Sequence, residues 1–181
     1  ALASAVVTHG RAHRLSFATV MAGIFSAVLL PAAFACLARL RAVSPALALT
    51  PFIGAFMSDT GAFFAGRAFG KHKLAPAVSP HKTVEGSVGG FIGSVAGMLI
   101  FHYAARAAVH LDIGVPVAVL LGLAGSLLGQ LGDLSFSVIK REFGIKDYGR
   151  LFLEHGGVLD RFDSVLFVAP AYWLMFTFIF N

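Results

Sequence analysis

Five runs of apolar residues, roughly 16 to 38, 45 to 66, 88 to 110, 115 to 138 and 158 to 180, leave this chain few ways to fold. The hydrocarbon core of a bilayer takes about 20 such residues as one helix. A water-soluble alternative fails on surface: with 57% hydrophobic residues, 13% charged residues and a mean hydropathy of +0.82, a chain of 181 residues could not cover its own core. The sequence therefore predicts an all-α, polytopic membrane bundle of about five transmembrane helices, built as a single domain over residues 1–181. It starts on Ala1 and turns apolar almost at once, which suggests a fragment or processed product rather than a signal peptide. Cys36 is the one cysteine, so it forms no intrachain disulfide and no cysteine-based metal cluster.

Five alternating spans place the N-terminus and the loops 67–87 and 139–157 on one side of the membrane. That side carries Arg11, Arg14, Arg67, Lys71, Lys73, Lys82, Lys140, Arg141, Lys146, Arg150 and Arg161, against Arg39, Arg41 and Arg106 on the other. The positive-inside rule makes the richer side cytoplasmic. The net charge of +5 is thus topology first, and without a soluble basic face it offers no nucleic-acid site. The acids follow no such rule, yet all but Asp112 lie on that same side or in spans near it. Gly89, Gly93 and Gly97, with Gly122, Gly125, Gly129 and Gly132, are spaced for close helix packing.

Several acids sit where a carboxylate is costly. Asp59, inside the second span, needs a wet cavity or a partner, which makes it a functional candidate against the alternative of a structural interhelical hydrogen bond. Asp133, Ser137, Lys140 and Arg141 fall on one helical face at the end of the fourth span. Asp160 and Asp163 share a face at the start of the fifth, where the helix N-terminus could account for one of them. Carboxylates converging beside Lys and Arg suit a hard cation such as Mg²⁺ or Mn²⁺ shared with a polyphosphate. "EHGGVLD" either opens backbone amides to an anion or simply turns into the fifth helix. The loop 67–87, with Pro76 and Pro80, is longer than a connector needs, and Gly66 to Lys73 lacks the Gly-Lys-Ser/Thr ending of a Walker loop.

At this point the residues carry a family resemblance. "SVIKREFGIKDYGRLFLEHGGVLDRFDS" closely resembles the signature of phosphatidate cytidylyltransferases, the CDP-diacylglycerol synthases: Ser, two residues, Lys-Arg, four residues, Lys-Asp, then His-Gly-Gly, two residues, Asp-Arg, one residue, Asp. "SDTGAFFAGRAFGKHKLAPAVSPHKTVEG" resembles that family's second typical stretch. Two departures stand out: Leu153 where the family usually has Pro or Gly, and Glu154 where it has a small residue. Family members are also commonly longer, with extra N-terminal spans, so the resemblance, carried by two blocks of about 57 residues, implies that this chain corresponds to the catalytic half.

The resemblance implies CTP and phosphatidic acid as substrates, CDP-diacylglycerol and pyrophosphate as products, and a Mg²⁺-dependent homodimer in the bacterial inner membrane with its site facing the cytoplasm. It leaves a second cation open. By position it makes Asp133, Asp160 and Asp163 metal ligands, and Lys140, Arg141, Lys146 and Arg161 phosphate-binding residues. Asp59, Lys73, Ser79, Lys82, Glu85 and Ser137 become substrate-binding candidates; Asp147 and His155 match the signature without an assigned role. The lipid phosphate is already an anion, so catalysis needs positioning and charge stabilisation rather than a nucleophile and base pair. Two other readings stay open: a CTP-dependent kinase of a polyprenol-type lipid, and a transporter using intramembrane acids.

Overall fold

The computed structural model describes residues 17–76, 78–145 and 159–180, and five long helices account for most of them. Helix α1 is Phe17–Val43; after a 3₁₀ turn at Leu47–Leu49, α2 runs Thr50–Phe69. A short hairpin follows, β1 Lys73–Ala75 and β2 Ser79–Thr83, and then α3 Val84–Val109, α4 Val115–Glu142 and α5 Leu159–Phe180. All five helices are long and apolar enough to cross a membrane. Phe34, Phe64, Ile92, Ile100 and Phe178 stand more than half exposed on their outer faces, as a lipid-facing surface requires.

Local chemistry sets the ends. Pro51 occupies the first turn of α2, where its missing N–H costs nothing, and the Thr50 hydroxyl donates to the Leu47 carbonyl at 2.7 Å. Thr83 caps α3: its side-chain oxygen accepts from the Gly86 amide at 3.1 Å. This cap starts α3 four residues before the apolar run that predicts it. At its far end α3 stops on His110, in the left-handed conformation at φ 56°. The α4 helix continues past its apolar run to Glu142, so Lys140 and Arg141 project from helix rather than loop.

The glycines bring backbones into contact. A Cβ on Gly61 of α2 would collide with the Gly89 carbonyl of α3, and one on Gly93 with the Met57 carbonyl, so α2 and α3 run antiparallel with their backbones in contact at these glycines. Across α4, Gly125 lies against Gly54 and the Tyr172 ring of α5, and Gly132 against Phe167. The Tyr172 hydroxyl, fully buried, donates to the Leu121 carbonyl at 2.5 Å. Around these contacts sits the main apolar core, with Leu40, Met98, Leu121, Val165 and Val168 at its centre. Helix α1 joins through Phe25, whose ring meets Phe136 and Phe167.

Because the helices alternate in direction, one end of the bundle gathers the C-terminal ends of α2 and α4, the start of α3, the start of α5 and the hairpin. Among the described residues, Arg67, Lys71, Lys73, Lys82, Lys140 and Arg141 lie at this end. Arg39, Arg41 and Arg106 lie at the other, near the ends of α1 and α3.

Candidate active site

The hairpin is fixed over this end by one carboxylate. Glu85, in the first turn of α3, accepts from the Lys71 amide at 3.1 Å, the His72 amide at 3.2 Å and the His72 ring at 2.6 Å. Its far side is tied to α4, where Arg141 Nε donates to the Val78 carbonyl at 3.4 Å. Held at both places, β2 carries His81 and Lys82 across the gap between α2 and α4.

Beneath it are two adjoining cavities, of about 500 and 380 Å³. Asp59 and Asp133 line both. The smaller adds Asp160 and Asp163, with Thr60, Ser164 and Phe56, so carboxylates from α2, α4 and α5 surround one space. The larger adds Arg67, His81, Lys82, Ser87 and Gln130, walled by Phe63, Leu74 and the hairpin.

Two of the four aspartates carry lysine partners. Lys82 pairs with Asp133, and Lys140 with Asp160 at 2.9 Å; the second pair is about nine-tenths buried. The Ser137 hydroxyl donates to Asp133 at 3.4 Å. Asp163, only 6% exposed, accepts from the Ser164 amide at 2.7 Å. No ion pair among the described residues reaches Asp59 or Asp163, so the smaller cavity keeps surplus negative charge. Such a surplus is relieved by a proton or by a bound cation.

The donors fit a hard divalent ion: carboxylate oxygens, hydroxyls and an open space for water and phosphate. No three His, Cys, Asp or Glu side chains among the described residues close into a ready-made shell. The arrangement is an open bay, suited to Mg²⁺, which usually takes one or two carboxylates and completes its shell with water and substrate oxygens.

A polar chain, buried at Ser58 and Ser126 and part-buried at Ser87 and Gln130, braces the floor. Ser87 of α3 donates to Gln130 of α4 at 2.5 Å, the Gln130 amide donates to Ser126 at 2.9 Å, and Ser126 meets Ser58 of α2 at 2.8 Å. Each polar atom finds its partner across a helix boundary or one turn away, so three helices are tied together directly under Asp59 and Asp133.

Sequence reasoning brought Asp59, Asp133, Asp160, Asp163, Lys82, Lys140 and Ser137 to one region, and the structure gathers all seven. Lys73 and Ser79 sit on the hairpin and Glu85 at its base, outside the lining of both cavities. Arg141 is turned to the hairpin tip. Lys146, Asp147, His155 and the Arg161 side chain lie outside the described residues. Arg67, His81, Ser87 and Gln130 were not anticipated. For Arg67 a signal existed: Asp59, Ala62, Phe63, Gly66 and Arg67 follow helical spacing along one stripe of α2.

Residues 1–179 match the profile of the family described as the cytidylyltransferase family. The chain belongs to that family. Relatives agree: it is 47% identical over 122 residues to the phosphatidate cytidylyltransferase of Staphylococcus saprophyticus, 48% over 124 residues to that of Staphylococcus aureus and 44% over 122 residues to that of Staphylococcus haemolyticus. Each alignment covers 67% of this chain and 45% of the relative. The chain thus spans a little under half the length of the curated relatives it matches.

Proposed function

We propose that this chain transfers a cytidylyl group from CTP to phosphatidic acid, releasing pyrophosphate and leaving CDP-diacylglycerol in the membrane. The observation that carries it is the meeting of four aspartates and two lysines, from α2, the hairpin, α4 and α5, around two joined cavities at one end of a membrane bundle. The basic residues concentrated at that end support a cytoplasmic orientation, where CTP is available while acyl chains stay in the bilayer. The same reading takes the membrane to be the bacterial inner membrane and the assembly a homodimer.

In this reaction a phosphate oxygen of the lipid bonds to the α-phosphorus of CTP as the bond to the β-phosphate oxygen breaks. The nucleophile is anionic at neutral pH, so no residue need remove a proton from it. Lys82 and Lys140 hold Asp133 and Asp160 in place and supply positive charge to the entering phosphates. Asp133, Asp160 and Asp163 would hold Mg²⁺, which when bound neutralises charge on the polyphosphate. The polar floor keeps the α2 and α4 carboxylates at fixed separation, which positions the reacting phosphates.

Purified protein in lipid nanodiscs, given CTP, Mg²⁺ and phosphatidic acid, is expected to release pyrophosphate and form CDP-diacylglycerol in equal amounts. Release of CDP with a polyprenol acceptor, or no CTP-dependent product at all, overturns the proposal. Chemical cross-linking in the same nanodiscs tests the dimer.

A further inference from the structure

The two cavities share Asp59 and Asp133 but differ in every other respect. The smaller is a carboxylate bay. The larger brings Arg67 from α2 and His81 and Lys82 from β2 against an apolar wall of Phe63 and Leu74. Phe63 is 59% exposed and Leu74 38%, so this wall continues onto the outer surface of the bundle. Lys82 is committed to Asp133, whereas Arg67 and His81 make no hydrogen bond or ion pair among the described residues. Two polar donors without a partner among the described residues, beside exposed apolar side chains, suit an amphiphile with an anionic head.

We infer that the larger cavity seats the phosphomonoester head of the lipid substrate, with Arg67 and His81 as its binding residues and Phe63 and Leu74 flanking its glycerol and first acyl carbons. The inference rests on the reaction proposed above, and it divides the substrates between the cavities: the nucleotide triphosphate goes to the carboxylate side, the lipid phosphate to the cationic side. Reaction then occurs between them, beside Asp59 and Asp133. Chemistry favours this division over its reverse. A triphosphate carrying a divalent ion needs carboxylates, which only the smaller cavity offers in number. A lipid phosphate needs charge-matched donors within reach of apolar surface, as Arg with its forked guanidinium provides.

The test compares Arg67→Gln, Arg67→Lys and His81→Gln with the parent protein in detergent micelles. Removing a donor to a charged phosphate costs about 10- to 100-fold in affinity. The KM for dioctanoyl phosphatidic acid should rise by about that factor in Arg67→Gln and less in His81→Gln, with the KM for CTP within about twofold of the parent. Arg67→Lys should recover part of the loss. Calorimetric titration with dioctanoyl phosphatidic acid, without CTP, should show the same ranking, and dioctanoylglycerol should bind equally weakly to all variants. A rise in the KM for CTP instead, or unchanged lipid binding in both Gln variants, overturns the assignment. The two levels separate cleanly. Arg67-dependent lipid binding without pyrophosphate release would sink the reaction but keep the site; normal turnover with unaffected variants would do the opposite. If Arg67→Gln fails to insert, His81→Gln, on the exposed hairpin, decides alone.

Discussion

Replacing Gly61 by alanine tests the seam on which the site geometry depends. The new methyl group would collide with the Gly89 carbonyl oxygen and lie 3.1 Å from both Gly89 C and Gly93 Cα. All three are backbone atoms, so no side chain can swing aside. Carbon pairs prefer about 3.5–4.0 Å, so α2 and α3 must part by roughly 0.5 Å or more. Overpacking of this kind costs about 1–3 kcal/mol. Asp59, two residues along α2, moves with its helix relative to Lys82 and Asp133; since a 1 Å misplacement can cost about 100-fold in rate, half of that predicts roughly tenfold. Titration of micelle-solubilised protein with SDS, followed by helicity, reads the first number, and CTP-dependent pyrophosphate release the second. Gly23→Ala is the control: nothing lies within 4 Å of its added carbon, and its stability should stay within about 0.5 kcal/mol of the parent. If Gly61→Ala proves as stable and active as Gly23→Ala, close backbone contact is not what holds α2 to α3.

Lys140→Met removes the ammonium group 2.9 Å from the nine-tenths-buried Asp160 carboxylate and should cost about 1.5–3 kcal/mol in the same SDS titration, with Lys140→Met/Asp160→Leu recovering part of it; a double variant worse than the single refutes a stabilising pair. Asp163→Asn should insert and fold normally but lose more than about 100-fold in turnover, and excess Mg²⁺ should not restore it; near-parental activity removes Asp163 from the proposed metal set. Glu85→Gln weakens the acceptor shared by Lys71 and His72, so trypsin should cut after Lys71 and Lys73 faster than in the parent while helicity is unchanged; equal cutting rates show that Glu85 does not anchor the hairpin.

The bundle was legible because hydropathy over twenty residues is a strong signal, and the five helices appear where the five apolar runs predict them. Their ends were less so. Hydropathy falls at Lys140 although helix geometry does not, so α4 overshoots its apolar run, and α3 begins early because Thr83 caps it. The hairpin left no pattern: three and five residues are too few for alternation to show, and Pro80 argues against a strand unless it lies at an edge, as every position of a two-stranded sheet does. In the site, Asp133, Ser137 and Lys140 were readable from spacing within one helix. The Ser87–Gln130–Ser126–Ser58 chain was not, because each member is an ordinary polar residue whose partner is set only by packing. Glu85, an apparent substrate contact by motif, spends one oxygen on two backbone amides and the other on the His72 ring, which side-chain identity alone does not announce.

The packing of α3 on α4 has a mechanical consequence. Midway along α3 the two backbones touch, since a Cβ on Gly122 would lie 2.6 Å from Val95 Cα. Toward the site, Gly90 instead faces the Gln130 side-chain amide, so a side chain replaces backbone as the spacer. The pair therefore behaves like shears with their rivet at Gly122. From there to Asp133 is about 16 Å along the helix, so a tilt of only about 4° at the rivet swings that carboxylate by about 1 Å. The Ser87–Gln130–Ser126–Ser58 bonds across that end oppose such a tilt, so the width of the bay depends on the distant Gly122 contact and on the polar floor together.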